Sequence, residues 1–365
     1  MAILTAKAMS PYTAVFDDHA MIDLYSDTKT KPTTGMREAM ASAVVGDEQA
    51  DEDPTTRALC AHVASLLGYE AALFMPSGTM CNLVATLVHT RPGDELIADA
   101  GAHICATEGA GASAIAGVAI APLTTRNGVF SAEQCRSAIR VPSRTAPRSA
   151  MVSVEQTTNF SGGAVWPICT LRAVRDVAHD ASLFTHIDGA RLLNASAATG
   201  IAPAEYTAGW HSAWIDFSKG LGCPVGAVLC GSEDFIQDAW TWKYRLGGAM
   251  RQSGVLAAAA LYALEHHVER LADDHANAKL IAGLLANSPY FALDTDPPQS
   301  NILLFRVQNL RIDVRAFADH VLARGVRVRV LDDGRIRATT HLDVMRESCE
   351  LAAATLISVA EEWTS

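Results

Sequence analysis

T-H-I-D-G-A-R-L (185–192) and W-I-D-F-S-K-G-L-G (214–222) are the stretches on which the fold turns. Each opens on a short apolar run, 182–187 in one and 213–217 in the other, and each delivers a charged residue where that run ends. Asp188 follows the first run and Lys219 the second. In an open α/β sheet, ligands bind outside the carboxyl ends of the strands. The two segments therefore place a carboxylate and an amine at the mouth of one site. A carboxylate can hold a protonated ring nitrogen and a lysine can form a Schiff base, the two handles a protein keeps on pyridoxal phosphate.

Apolar runs of strand length alternate with helical stretches on either side. Strands are expected at 71–75, 96–98, 118–121, 150–154 and 225–231. Helices are expected at 80–89, 131–139, 167–179 and 235–242. This alternation predicts an α/β fold with a mostly parallel sheet covered on both faces. Segments 256–286 read as long helices punctuated near Asp273. Beyond them, strands at 301–307, 326–330 and 335–341 with helices at 314–324 and 344–363 predict a small α+β unit. The expected division is 1–20 as an N-terminal extension, 21–272 as the large domain and 273–365 as the small C-terminal domain.

Before the first of these strands, Pro32 delays a helix until Thr33 or Thr34 caps it, and Thr55 is expected to cap the next, ending at Leu67. Between them G-D-E-Q-A-D-E-D-P (46–54) reads as a solvated acidic loop.

The chain has 365 residues, with 29 basic against 40 acidic side chains and a formal charge of −11, which argues against a nucleic-acid backbone as partner. No apolar run is long enough to span a bilayer, and the N-terminus lacks the pattern of a signal peptide. Eight scattered cysteines without a C-x-x-C pattern form neither a disulfide framework nor a zinc site. Reduced cysteines and a cytoplasmic location are the expectation, with no metal.

P-S-G-T-M (76–80) follows the strand at 71–75 and opens a helix. Backbone N–H groups at a helix start, with a glycine allowing close approach, make an anion site. His103 falls just past the strand at 96–98, where a ring can lie over a planar cofactor.

These motifs together are similar to those of a known family. S-D-T-K-T-K-P-T (26–33), F-M-P-S-G-T-M-C-N (74–82), H-I-D-G-A-R-L-L-N-A (186–195), S-K-G-L-G-C-P-V-G (218–226), L-G-G-A-M-R-Q-S-G (246–254) and A-T-T-H-L-D-V (338–344) resemble the low-specificity L-threonine aldolases. Those are pyridoxal-phosphate enzymes of the aspartate-aminotransferase superfamily, fold type I. The resemblance implies a seven-stranded large domain and a homotetramer built as a dimer of dimers. It implies retro-aldol cleavage of a β-hydroxy-α-L-amino acid, such as threonine, allo-threonine or phenylserine, to glycine and an aldehyde.

It also implies roles. Lys219 anchors the cofactor, Asp188 pairs with its ring nitrogen and His103 stacks on the ring, the three catalytic residues. Ser77, Gly78, Thr79 and Ser218 complete the cofactor site, with Arg251 reaching in from a neighbouring subunit. Ser26, Arg191 and Arg337 hold the substrate carboxylate, Arg191 also bordering the cofactor.

Five positions depart from the family pattern: Ala50, Thr107, Thr145, Thr158 and Tyr244, the last with Lys243 adjacent. They are expected to surround the substrate's β-substituent. A β-eliminating lyase, a racemase, or an aldolase for a bulkier or α-substituted serine is the alternative they leave open. A water held by Thr158 or Glu155, or transfer assisted by the cofactor's phosphate, is the expected route for the β-hydroxyl proton.

Overall fold

The computed structural model describes residues 21–295 and 297–364. The expected extension 1–20 lies outside the described residues. In chain order the strands are β1 (Ile22–Asp23), β2 (Ala71–Met75), β3 (Asp94–Asp99), β4 (Ala119–Leu123), β5 (Arg148–Glu155), β6 (Phe184–Gly189), β7 (Ser212–Asp216), β8 (Ala227–Gly231), β9 (Phe291–Leu293), β10 (Ile302–Val307), β11 (Val326–Arg327), β12 (Arg329–Val330) and β13 (Ile336–Thr339).

Seven of them build the large sheet in the order β2-β8-β7-β6-β5-β3-β4. β3 to β7 pair in parallel, and β8 runs antiparallel to both its neighbours. The central strands β5 and β6 are buried along nearly their whole length, as strands covered on both faces must be. On one face the core packs Phe130, Trp166, Ile187 and Phe217; on the other it packs Met75, Val84, Trp214 and Phe235. The expected parallel sheet is therefore present, with its C-terminal edge assembled from the ends of β3, β5, β6 and β7.

The small sheet, β12-β13-β10-β9, is antiparallel. Its core joins Phe305, Phe317, Ile336 and Leu356 to Leu24 from the start of the described chain. Leu24 is there because β1 pairs in parallel with β11, Ile22 opposite Val326. Residues 22–24 thus belong with the C-terminal elements, a placement that two residues of strand cannot announce in a sequence. The helix Leu271–Ala286 runs unbroken through position 273, the punctuation falling at 267–270 instead. Leu271 enters the core of the large sheet while Ile281 and Leu285 enter that of the small one.

Local signals explain the termini of the early helices. Thr33 accepts the Met36 N–H at 3.3 Å and starts the helix Thr34–Ala41. The next helix is capped by Asp53, not Thr55. The Asp53 carboxylate accepts the Thr56 N–H at 2.9 Å, and Pro54 sits at the first helical position, where its missing N–H costs nothing. Gly68, at φ +71°, ends it.

The acidic loop before this helix is not simply solvated. Asp53 also accepts from Gly46 and Gly254, and buried Glu48 pairs with buried Lys243 while accepting the Met250 N–H. Among the described residues no helix is long and apolar enough to cross a membrane.

Candidate active site

A cleft of about 330 Å³ opens at the C-terminal edge of the large sheet. Its walls include Ser26, Ser77, Gly78, Thr79, His103, Asp188, Arg191, Ser218, Lys219 and Arg337, all of the expected site residues except Arg251. A larger hollow of about 480 Å³ lies elsewhere on the molecule. It is lined by Glu70, Asp234 and Asp238 without lysine or arginine, the wrong charge for a phosphate or carboxylate.

Asp188 ends β6, in register with Glu155 of β5 and Trp214 of β7. Its Oδ2 accepts from Asn82 at 2.7 Å and its Oδ1 from the Ala190 N–H at 3.0 Å. Asn82 is a hub. Its amide also donates to Glu108 at 2.7 Å, while its carbonyl oxygen accepts the Trp214 indole N–H at 2.7 Å and the His186 Nε2 at 3.1 Å.

With Nε2 donating, His186 accepts a hydrogen bond from the Ser212 hydroxyl on Nδ1 at 2.8 Å, and Ser212 Oγ is in turn bonded to His89 Nε2 at 2.8 Å. Burial pushes His186 down to about 3, and it and the neighbouring imidazoles push His89 well below its usual range, so both rings are neutral. The histidine of the H-I-D-G-A-R motif thus orients the amide that holds the carboxylate.

His103 lies in a short helix after β3, its Nδ1 2.8 Å from Glu108 Oε1. Burial opposes its charge, but the Glu108 hydrogen bond and the carboxylates of Asp188, Glu108 and Glu155 outweigh it and raise the imidazole. Burial and the Asp188 charge raise Glu108 as well, against the pull of His103 and Asn82. Glu155, buried at the end of β5, is pushed up to about 8 by burial and by Asp188, despite accepting the Asn159 N–H at 3.0 Å.

Lys219 Nζ pairs with Asp216 Oδ2 at 2.6 Å and lies 5.6 Å from the Trp214 ring. The other oxygen of Asp216 accepts from the Ser218 N–H and hydroxyl, both at 2.8 Å, so the S-K turn is fixed by the carboxylate that ends β7. Ser77 caps the helix Gly78–His89, accepting the Met80 N–H at 3.2 Å. Gly78 packs flat on Trp214; a Cβ there would fall 2.1 Å from the indole. No larger residue brings this helix start so close to the sheet.

Arg191 forks onto Asp27 through Nε and Nη2, both at 2.7 Å. Both partners are buried, and Asn301 adds a 3.1 Å contact to Asp27. Burial works against the Asp27 charge, yet Arg191 holds it well below the ordinary carboxylate range. So this arginine has an acid of its own.

Arg337 has none among the described residues. It donates to Asn159 Oδ1 at 2.6 Å and to the Tyr25 carbonyl at 3.1 Å, and its buried Nε has no partner. Burial and the charges of Arg191 and Arg329 push it down to about 10. Arg335 turns away, onto Asp333 and Asp294. Ser26 caps a short 3-10 turn through the Thr28 N–H.

Arg251 does not line the cleft of its own chain; it is largely exposed and pairs with Asp47 at 2.7 Å. Of the five departing positions only Thr107 borders the cleft. Thr158 is buried away from it, its hydroxyl accepting the Ala164 N–H at 3.0 Å. Thr145 sits in an exposed loop, Tyr244 is exposed, and Ala50 borders a separate hollow with Trp240. Pattern reading passes over Asn82 and Glu108, whose partners lie far away in the chain, and Asp216, whose partners Ser218 and Lys219 are local.

The sequence matches the beta-eliminating lyase family over residues 23–308. It is 38% identical over 335 residues to the low-specificity L-threonine aldolase of Escherichia coli K12, covering 92% of this chain and 98% of that one. It is also 38% identical to low-specificity L-threonine aldolase 1 of Arabidopsis thaliana, covering 88% and 91%. Among solved structures, the threonine aldolase of Leishmania major superposes with a TM-score of 0.80 at 20% identity, covering 93% of this chain and 99% of that one. The serine palmitoyltransferase of Sphingomonas wittichii superposes at 0.74 and 17%, covering 94% and 88%. At such identities the structural likeness establishes the fold. The sequence likeness goes further: the chain belongs to the beta-eliminating lyase family and to the low-specificity L-threonine aldolase family.

Proposed function

We propose that this protein is a pyridoxal-phosphate-dependent lyase that cleaves β-hydroxy-α-L-amino acids, threonine among them, to glycine and an aldehyde. The observation that carries the reading is the joint placement of Asp188, Lys219, the Ser77–Thr79 turn and Arg337 on one cleft. The residues fit the cofactor. Asp188 is oriented by two donors, as a partner for a protonated ring nitrogen should be. The helix start at Gly78 offers N–H groups to a phosphate, and Gly78 admits no Cβ against Trp214. Lys219 supplies the amine and His103 a ring on the same cleft.

When bound, pyridoxal phosphate supplies an electron sink for the pair left at Cα. The chain's own residues do the rest. Arg337 takes the substrate carboxylate, satisfying its orphan Nε, and Ser26 stands beside it. That grip orients the bonds at Cα. Asp216 orients the Lys219 side chain, the one that would anchor the cofactor, at the edge of the large sheet. Glu155 changes charge near neutral pH and lines the cleft, so it is suited to take the β-hydroxyl proton and return it. Thr158, turned onto Ala164, does not share that task. Asn82 and Glu108 link His103 to Asp188 in one hydrogen-bonded network.

Arg251, held outward by Asp47, suits a contact with a neighbouring subunit in a homotetramer, and a cytoplasmic location accords with eight free cysteines. The expected division into 21–272 as the cofactor-binding body and 273–365 as the small body is kept, except that residues 22–24 go with the small body.

The test is reconstitution with pyridoxal phosphate. Wild type should gain a visible absorbance band, become fixed to cofactor by borohydride, and release glycine from L-threonine, L-allo-threonine or phenylserine. Lys219→Ala should do none of these. Borohydride-fixed cofactor in Lys219→Ala, or release of ammonia and an oxo acid without glycine, overturns the assignment.

A further inference from the structure

Two arginines border the cleft without an acid of their own. Arg337 is one. The other is Arg329, which no hydrogen bond or ion pair engages among the described residues. Arg329 and Arg337 stand directly opposite each other across the antiparallel pair β12 and β13. Like charges in that position repel. Among the described residues no carboxylate pairs with either: Asp27 is committed to Arg191, and Asp216 to Lys219. The Arg329 guanidinium is instead held between aromatic faces, 5.4 Å from the Tyr25 ring and 5.0 Å from that of Phe160. Such stacking fixes a guanidinium plane and leaves its N–H edge unspent.

Arg329 also marks an outlet. A second groove of about 310 Å³ shares Thr107, Phe160 and Arg329 with the cleft. The phosphate, ring and α-carboxylate ends of the cleft already have Gly78, Asp188 and Arg337. With those ends taken, the side left for a substituent beyond Cβ is the one bordered by Thr107 and Arg329. The acids of that groove are spoken for: Asp333 binds Arg335 at 2.6 Å, and Asp332, fully exposed, faces Arg315 at 3.5 Å. Arg329 is the outlet's unpaired charge.

We infer that Arg329 is a specificity-determining residue that binds a second carboxylate, borne on the substrate's β-substituent, so that anionic β-hydroxy amino acids such as β-hydroxyaspartate are preferred over threonine. The inference rests on the aldolase reading above. In the cleavage the Cα–Cβ bond breaks and its electron pair stays on Cα, which gains a proton. The β-hydroxyl loses a proton as its C–O becomes C=O. β-Hydroxyaspartate therefore gives glycine and glyoxylate.

The experiment compares glycine release from L-threonine and from both diastereomers of L-β-hydroxyaspartate, using pyridoxal-phosphate-loaded wild type, Arg329→Met and Arg329→Lys. Thermal melts verify that each variant is folded. In wild type, kcat/KM for one diastereomer should exceed that for threonine by at least about tenfold. In Arg329→Met the ratio should collapse by about 10- to 100-fold, chiefly through KM, as expected for loss of a charge-assisted contact. Arg329→Lys should recover part of it. Equal losses on both substrates would assign Arg329 to the shared α-carboxylate and overturn the inference, as would a wild type indifferent to the second charge.

If no β-hydroxy amino acid yields glycine, the aldolase reading fails, and binding decides Arg329 separately. L-Aspartate should then perturb the cofactor's absorbance at lower concentration than L-alanine in wild type, with the preference gone in Arg329→Met. Equal affinities in wild type refute the role.

Discussion

Asp27→Asn is the substitution whose cost the structure defines most directly. It keeps the shape of the side chain and one acceptor oxygen while removing the charge that answers Arg191. The pair is bidentate and buried on both sides, so the variant leaves a guanidinium in the protein interior, close enough to Arg337 for the two cations to repel. Breaking a buried pair by removing one partner costs about 3–5 kcal/mol, and the retained acceptor puts this case near ~3 kcal/mol. With an unfolding entropy of roughly 2.1 cal/mol/K per residue, that loss lowers the melting temperature by about 4 °C for a chain of 365 residues.

The pH dependence has a definite sign. Asp27 is depressed in the folded state, so its contribution is complete above the unfolded value of about 4 and disappears as pH falls towards the lower folded value. Calorimetry from pH 7 to pH 3 should show the gap between wild type and variant narrowing below about pH 4. Replacing both partners, Asp27→Leu with Arg191→Met, should recover most of the loss, because no charge is stranded. A single variant melting within about 1 °C of wild type at pH 7, or a gap independent of pH, refutes the claim that this pair stabilises the fold.

Glu155 has the opposite dependence. Its folded value is raised to about 8, so its protonated form contributes stability at low pH that is lost as pH rises from the unfolded value near 4.3 through 8. Wild type without cofactor should therefore lose up to ~1.4 kcal/mol per pH unit from this group across that range. Glu155→Gln should have a flatter curve by denaturant titration, and a parallel curve would contradict the placement. Asn82→Leu strips partners from the buried Trp214 indole and His186 and a donor from Asp188 and Glu108. A loss of at least ~3 kcal/mol is expected, with altered Trp214 emission and weaker uptake of pyridoxal phosphate. Unaltered uptake would show that the amide does not position Asp188.

What the sequence discloses and what it hides follow from range. Strand β2 is legible to the residue, and β5 to β8 to within two, because apolar runs ending in punctuation are local. Asp188 and Lys219 are legible with them, since a residue after a strand must emerge at the sheet's edge. The partner of Arg191 is not: Asp27 lies 164 positions away, and a buried pair leaves no local pattern. The same holds for Asn82, whose four partners come from β6, from β7 and from the turn at Glu108. Thr158 misleads for another reason. Its neighbours Glu155 and Asn159 do border the cleft, but the turn points its hydroxyl back at Ala164. Thr55 loses its place as a cap to Asp53, the first residue of an Asp-Pro signal that reads equally well from the sequence.

The pairing of β1 with β11 has a mechanical consequence. Tyr25, Arg329 and Arg337 are all carried on elements tied to the small sheet or to its companion pair, while Lys219 and Asp188 are carried by the large one. On the function proposed above, the cleft is a caliper, with one jaw to grip the substrate's charged ends and the other to hold the amine that meets it. Its gap is set where the helix Leu271–Ala286 joins the two cores, through Leu271 on one side and Leu285 on the other. A change of volume at that seam is therefore expected to reset the reach of the jaws, and with it the length of amino acid accepted, without altering any residue that lines the cleft.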